Sequence, residues 1–482
     1  MNIRVMGKSL GIVLGVAAVA MVPSLLLCFV YQEEVWPLAT SVALLAGLGL
    51  VLSRIPLNTA PIYGRDGFAI VAFSWLALSF FGALPFYFSG VAPTMIDAFF
   101  ESASGFTTTG ASILTQVESL PRGILFWRSS THWLGGMGVL VLTLAILPLA
   151  GGSSLHILRA ESTGPSPGKL VPKMRRTAMI LYSLYIAFTV VQILLLMMAG
   201  MPLYDAALHT FGTVGTGGFS MKNASVGSYN NLAYEVIITV FMLVCSINFS
   251  LYYQLLKKNF KAALADRELW TFLGVAGASM LLIALNLRGG VFASFGEAFR
   301  HSSFQVASVI SSTGYATTNF NLWPSFSKMI LFMLMVMGAS AGSTGGGLKA
   351  IRVLLLFKIA RRSIIRALHP RSIHLVRLGD RVVEEETLTE VLTFFFIYCG
   401  LFAGASLLIS LEGKDLITTL SSVVTTLSNI GPGFELVGPA GNFSSFSGAS
   451  KLLLSFCMIA GRLELYPMLL LFAPSFWKRT SL

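Results

Sequence analysis

The sequence predicts an all-α polytopic membrane protein: four helix–pore-loop–helix repeats around one pore, preceded by two extra N-terminal transmembrane helices. Three observations predict it. Charged residues make up 11% of the 482 and hydrophobic ones 55%, with a mean hydropathy of +0.77, whereas a soluble chain carries about 25% charged residues. Apolar runs long enough to cross a bilayer recur along the chain. Between them lie four runs too short to cross, each ending at a glycine among small or hydroxylated residues.

Residues 1–60 hold the leading pair, at about 8–31 and 36–54. The run from Leu10 to Val30 follows Arg4 and Lys8, as a signal peptide would. No small-x-small cleavage site precedes Tyr31-Gln32-Glu33-Glu34, however, and a second span follows at once, so it reads as a retained helix. The repeats occupy 61–176, 177–266, 267–384 and 385–482. Each reads as a long span, a half-span and a second long span, which with the leading pair makes ten full spans. The half-spans open near Asp97, Asp205, Glu297 and Asp415, acids that suit a helix N-terminus. Too short to cross, they must turn back inside the bilayer, where non-helical backbone needs cover from protein or a water-filled cavity. A shared polar cavity follows, and helix C-termini pointing at it would favour a cation.

Charge placement gives an independent count. The formal net charge of +12 sits in clusters from Arg159 to Arg176, Lys257 to Arg267, Lys358 to Arg381, and at Lys478-Arg479. With the N-terminus in the cytoplasm, the span count puts every cluster inside and every glycine loop outside, as the positive-inside rule requires. Short clusters abutting membrane spans argue against a nucleic-acid partner. Cys28, Cys245, Cys399 and Cys457 lie in apolar runs without metal or disulfide spacing. No paired carboxylates, His/Cys cluster or nucleophile with its base is visible at membrane depth, so the chain does not read as an enzyme.

The four loops are Thr108-Thr109-Gly110, Thr213-Val214-Gly215, Ser312-Thr313-Gly314 and Asn429-Ile430-Gly431, their glycines 105, 99 and 117 residues apart. One Thr-x-Gly among 46 glycines means nothing; four at matched places in four matched units do. Glycine supplies the positive φ that a filter backbone needs. The preceding pairs supply carbonyl, hydroxyl or amide oxygens, which suit a hard monovalent cation.

On these residues the chain resembles the superfamily of potassium transporters that includes the bacterial Trk and Ktr proteins and the plant HKT proteins. Thr213-Val214-Gly215-Thr216-Gly217 differs from the channel signature TVGYG at one position, and the other loops are more degenerate. The leading pair resembles the Trk branch. The resemblance implies potassium uptake across a bacterial inner membrane, with K+ as the bound and transported ion and no covalent cofactor. Sodium/potassium symport or a weakly selective monovalent cation channel of the same superfamily is the alternative, ahead of an unrelated secondary transporter with broken helices. It also implies a homodimer controlled by a cytosolic nucleotide-binding regulatory subunit of the RCK type. No dinucleotide fingerprint occurs in the chain itself.

Two further features stand out. Gly338 to Lys349 carries so much glycine, at about 1 kcal/mol per residue against alanine, that the last span of repeat three should break. The resemblance implies an intramembrane gating loop there, at Gly342, Ser343, Thr344, Gly345, Gly346 and Gly347, with Lys349 among its residues. Arg462, deep in the last span, is costly in lipid and so marks a function or a buried partner; at that place the resemblance implies an arginine facing the pore and able to anchor the loop. Trp127-Arg128 and His132 to Gly138 read as interfacial anchoring and close packing. His209 and His301, in half-spans, read as structural.

Overall fold

The structure is a computed structural model and describes residues 2–56, 64–136, 138, 174–372, 374–379 and 381–477. The basic residues from Arg159 to Lys173 and the terminal Lys478-Arg479 lie outside these.

The leading hairpin pairs α1 (Ile3–Tyr31) with α2 (Trp36–Ser53). Glycines bring the two backbones together: a Cβ on Gly49 would stand 3.0 Å from the Gly11 carbonyl oxygen. Such small-residue contacts drive helix association in lipid, where burying apolar surface gains little.

Repeat one holds α3 (Gly64–Gly82), its short continuation α4 (Leu84–Phe88), the half-helix α5 (Met95–Phe106) and α6 (Arg122–Gly136). Repeat two holds α7 (Met174–Met198), the half-helix α8 (Leu203–Val214), α9 (Leu232–Cys245) and α10 (Phe249–Leu256). Repeat three holds α11 (Arg267–Leu287), the half-helix α12 (Phe295–Ile310), α13 (Ser325–Met337) and α14 (Ala350–Leu368). Repeat four holds α15 (Glu385–Ser410), the half-helix α16 (Leu416–Leu427) and α17 (Gly448–Arg462).

The expected polar starts are present. Thr94, Ser294 and Asp415 cap α5, α12 and α16 through their side-chain oxygens, and Asp97, Asp205 and Glu297 stand in first turns. The repeats then close a cycle. In each, the second long helix packs on the next repeat's half-helix: α6 on α8, α9 on α12, α13 on α16, and α17 back on α5. Ion pairs follow the same cycle, Glu235–Arg300 at 2.7 Å and Lys451–Asp97 at 2.6 Å.

Among the described residues, the second long spans of repeats two to four are broken, not only that of repeat three as expected. Among the described residues six helices are long and apolar enough to cross a membrane, and the pair α9 and α10 adds a seventh bent by 90°. The second helices of repeats two to four are 14, 13 and 15 residues long, only about 20 Å at 1.5 Å per residue. Each breaks for a local reason. Asn248 caps a new helix at Ser250, Gly338 turns at φ 69°, and Leu465 turns at φ 67° ahead of Pro467. The sequence betrayed only the second of these.

Candidate ion pathway

The four half-helices end alike. In each, a residue just past the C-cap takes left-handed φ: Thr108 (55°), Thr216 (54°), Ser312 (58°) and Asn429 (56°). The next N–H donates five residues back, Thr109 to Ser104, Gly217 to Gly212, Thr313 to Ser308 and Ile430 to Thr425, at 2.8–2.9 Å. With the accompanying bond from the left-handed residue, this is a Schellman cap. Glycine or asparagine usually fills that position; threonine or serine there costs about 1–2 kcal/mol, strain of the kind concentrated at functional sites. One residue later comes a glycine with φ of 79° to 94°: Gly110, Gly218, Gly314 or Gly431.

The four turns close a ring. A Cβ on Gly110 would collide with the Gly217 carbonyl oxygen, one on Gly218 with that of Thr313, one on Gly314 with that of Ile430, and one on Gly431 would stand 2.6 Å from that of Thr109. Each glycine is therefore backed against the middle carbonyl of the next repeat, once around. The same four glycines open onto one cavity of about 150 Å³. Asn429 ties the ring across repeats, its Nδ2 donating to Thr109 Oγ1 at 2.9 Å and to the Met458 carbonyl at 2.8 Å.

Repeat two is thus corrected by three residues. Thr213 and Val214 are the last residues of α8, and Gly215 is its cap at φ −74°. Gly215 packs against α6, where a Cβ would come within 2.5 Å of the His132 carbonyl oxygen. The turn equivalent to the other three is Thr216-Gly217-Gly218. Two sequence signals mark it: Gly218-Phe219-Ser220 matches Gly110-Ala111-Ser112, and each glycine follows its acid, Asp205 or Asp97, by 13 residues. The similarity of Thr213–Gly217 to the channel signature falls out of register with the ring.

Beneath the ring lies the glycine-rich loop. A Cβ on Gly345 would stand 2.7 Å from the Ser311 carbonyl oxygen, and one on Gly346 would collide with that of Ser428, so both glycines press on half-helix ends. Gly346 N–H donates to Ser312 Oγ at 2.6 Å. The bend after α9 releases the carbonyls of Cys245 and Ser246, and the loop uses both, through Thr344 Oγ1 (3.2 Å) and Ser340 N–H (3.1 Å). Gly342 accepts from Phe249 N–H at 3.1 Å, and Ser343 Oγ bonds within the loop to the Ser340 carbonyl. Gly347 and Lys349 turn at φ 82° and 77°, and the buried Lys349 ammonium donates to the Gly345 carbonyl.

Arg462 is buried and joins this assembly. Its Nη1 donates to the Thr344 carbonyl at 2.6 Å and its Nη2 to the Gly135 carbonyl at 2.7 Å. Glu464 pairs with Arg352, just past the loop. Residues that the sequence did not single out hold much of the rest. Glu268 Oε1 accepts from Ala341 N–H (2.7 Å) and Ile351 N–H (3.2 Å), gripping both ends of the loop. It also caps α14 from another helix, since Lys349 offers no side-chain cap. Trp127 and Arg128 are not interfacial: both are buried, the indole donating to the Gly82 carbonyl at 3.0 Å. His132 Nδ1 bonds the Gly105 carbonyl at 2.8 Å. Among the described residues no cluster of His, Cys, Asp or Glu could hold a metal; the oxygens here are those of backbone, hydroxyl and amide.

Four re-entrant turns ringed at the centre of an all-α membrane chain define a polytopic membrane transport protein. The family model for TrkH, described as a cation transport protein, matches residues 40–479. The chain is 40% identical over 422 residues to the Trk system potassium uptake protein TrkH of Salmonella typhimurium, covering 86% of each chain. To the protein of the same name from Halomonas elongata it is 34% identical over 491 residues, covering 99% of this chain and 100% of the relative. The crystal structure of the potassium transporter TrkH from Vibrio parahaemolyticus matches with a TM-score of 0.90 at 32% identity, over 99% of this chain and 100% of that one. The chain belongs to the TrkH cation transport protein family, and is a transporter rather than an enzyme.

Proposed function

We propose that this chain carries potassium into a bacterium through the ring, with the glycine loop below as its gate. The observation that carries the reading is the cyclic contact of Gly110, Gly218, Gly314 and Gly431 with the carbonyls of Gly217, Thr313, Ile430 and Thr109. Their N–H groups being committed to helix caps, these carbonyls are free to replace the water shell of a dehydrated cation. Thr108, Thr216, Ser312 and Asn429 supply the inner edge. Potassium uptake is also what the relatives are named for.

The ion runs down its electrochemical gradient. Each 100 mV of inside-negative potential is worth about 2.3 kcal/mol per charge, roughly a 50-fold concentration ratio. Gly342 to Gly347, held by Arg462, Lys349 and Glu268, block the path until they move. The protein sits in the inner membrane with its N-terminus in the cytoplasm, works as a homodimer, and answers to a cytosolic RCK-type nucleotide-binding subunit. Growth at low potassium tests the reading. A strain lacking its own uptake systems should grow when this chain is expressed with such a regulatory subunit, and no rescue despite membrane expression would sink the proposal.

A further inference from the structure

Behind the ring, each half-helix sends a polar group to the non-helical segment, its ring strand, that follows its glycine. In repeat two His209 Nε2 lies 3.3 Å from Ser220 Oγ. In repeat three Ser308 Oγ donates to the Tyr315 carbonyl at 2.6 Å. In repeat four Ser421 Oγ accepts from Phe434 N–H at 3.1 Å. Repeat one differs, because its prop is a carboxylate with a guanidinium on it.

Glu101 is 0% exposed. Its carboxylate accepts from Ser112 Oγ (2.9 Å) and Ile113 N–H (3.0 Å), two and three residues past Gly110. It also accepts from Arg128 Nε at 2.7 Å. Arg128 is 3% exposed and lines the cavity onto which the four glycines open. Its Nη1 donates to the Ser220 carbonyl at 3.0 Å, and its guanidinium lies 3.5 Å from the centroid of the Phe219 ring. Ser220 and Phe219 stand two and one residues past Gly218. A single ion pair therefore ties the strands of repeats one and two together just outside the ring.

Stability alone does not account for such a pair, since well-packed apolar residues of similar volume serve as well or better. Two charges do what an apolar pair cannot: they fix hydrogen-bond geometry on both strands, and they determine the field beside a cation path. We propose that the Glu101–Arg128 pair is a specificity-determining strut. It sets the spacing of the first two ring strands, and Glu101 keeps the guanidinium from acting as a free positive charge against the ion. The proposal rests on the reading of the ring as the selectivity filter.

The test is rubidium influx into liposomes holding the purified full chain, competed by potassium and by sodium, per reconstituted protein. R128K keeps the charge but not the fork that reaches both Glu101 and Ser220. The preference of its influx for potassium over sodium should fall about fivefold or more. E101Q leaves the guanidinium unneutralised, and its influx should fall about tenfold or more. E101Q/R128M removes both charges; influx should recover above that of E101Q while the preference stays low. Should E101Q fail to insert, R128K and the double variant decide by the same criteria. Wild-type preference in R128K, or a double variant no faster than E101Q, overturns the strut. G218S, run alongside, separates this result from the parent reading. An altered preference in G218S with none in R128K removes the strut alone, and no change in either removes the filter with it.

Discussion

Gly218→Ser against Gly215→Ser puts the corrected register to a direct test. At Gly218 the backbone sits at φ +80°, and a Cβ would land on the Thr313 carbonyl oxygen of the ring. The left-handed backbone alone costs a side chain about 1–2 kcal/mol, and the carbonyl must move besides. Strain of that size on the ring corresponds to about 5- to 30-fold in the preference for potassium over sodium. At Gly215 φ is −74°, so no backbone strain arises. A Cβ there meets the His132 and Phe211 carbonyl oxygens at 2.5 and 2.7 Å. That overpacks the contact of α6 with α8 by about 1–3 kcal/mol, lowering yield and melting temperature but leaving the preference intact. The assay is rubidium uptake into proteoliposomes, with potassium and sodium as competitors. A lowered preference in G215S together with an unchanged one in G218S would refute the register.

Other perturbations probe the loop and the cycle of repeats. Arg462→Ala removes two buried charge-assisted hydrogen bonds, to Thr344 and Gly135, worth about 1.5–3 kcal/mol each; basal ion leak in liposomes should rise about 100-fold or more. Glu268→Ala strands the N–H groups of Ala341 and Ile351 at about 1–3 kcal/mol each. Basal leak should rise there too, and less in Glu268→Gln, which keeps an acceptor. Lys451→Met leaves Asp97 unpaired where α17 meets α5, at about 3–5 kcal/mol; the melting temperature of the purified protein should fall, and Asp97→Asn added to it should restore most of the loss.

Much of this was legible in the chain. The half-helices announced themselves through Asp97, Asp205, Glu297 and Asp415, and three of the four ring turns through a polar residue two places before a glycine. Those signals are local, since caps and left-handed turns select their residues directly. Repeat two misled because Thr213-Val214-Gly215 offers the same composition three residues early, at the end of α8, and its likeness to the channel signature outweighs the acid-to-glycine spacing that marks Thr216-Gly217-Gly218. The helix breaks were legible only at Gly338, where glycine repeats. The break at Ser246–Asn248 turns on one capping asparagine, and that at Glu464-Leu465 on a strained pair ahead of Pro467. Glu101 and Glu268 were missed, and Arg128 was misread as interfacial, for another reason. Their partners lie 11 to 92 residues away, and no spacing rule reaches that far.

The central claim is that four loops of one chain make one potassium-preferring path. Rubidium influx through the purified wild-type chain in liposomes, driven by an inside-negative potential and competed separately by potassium and sodium, tests it most directly. The account predicts influx that rises with the potential and is suppressed by potassium at far lower concentration than by sodium. Equal suppression by the two ions, or no influx from a chain folded in the membrane and freed of its loop by R462A, would contradict it.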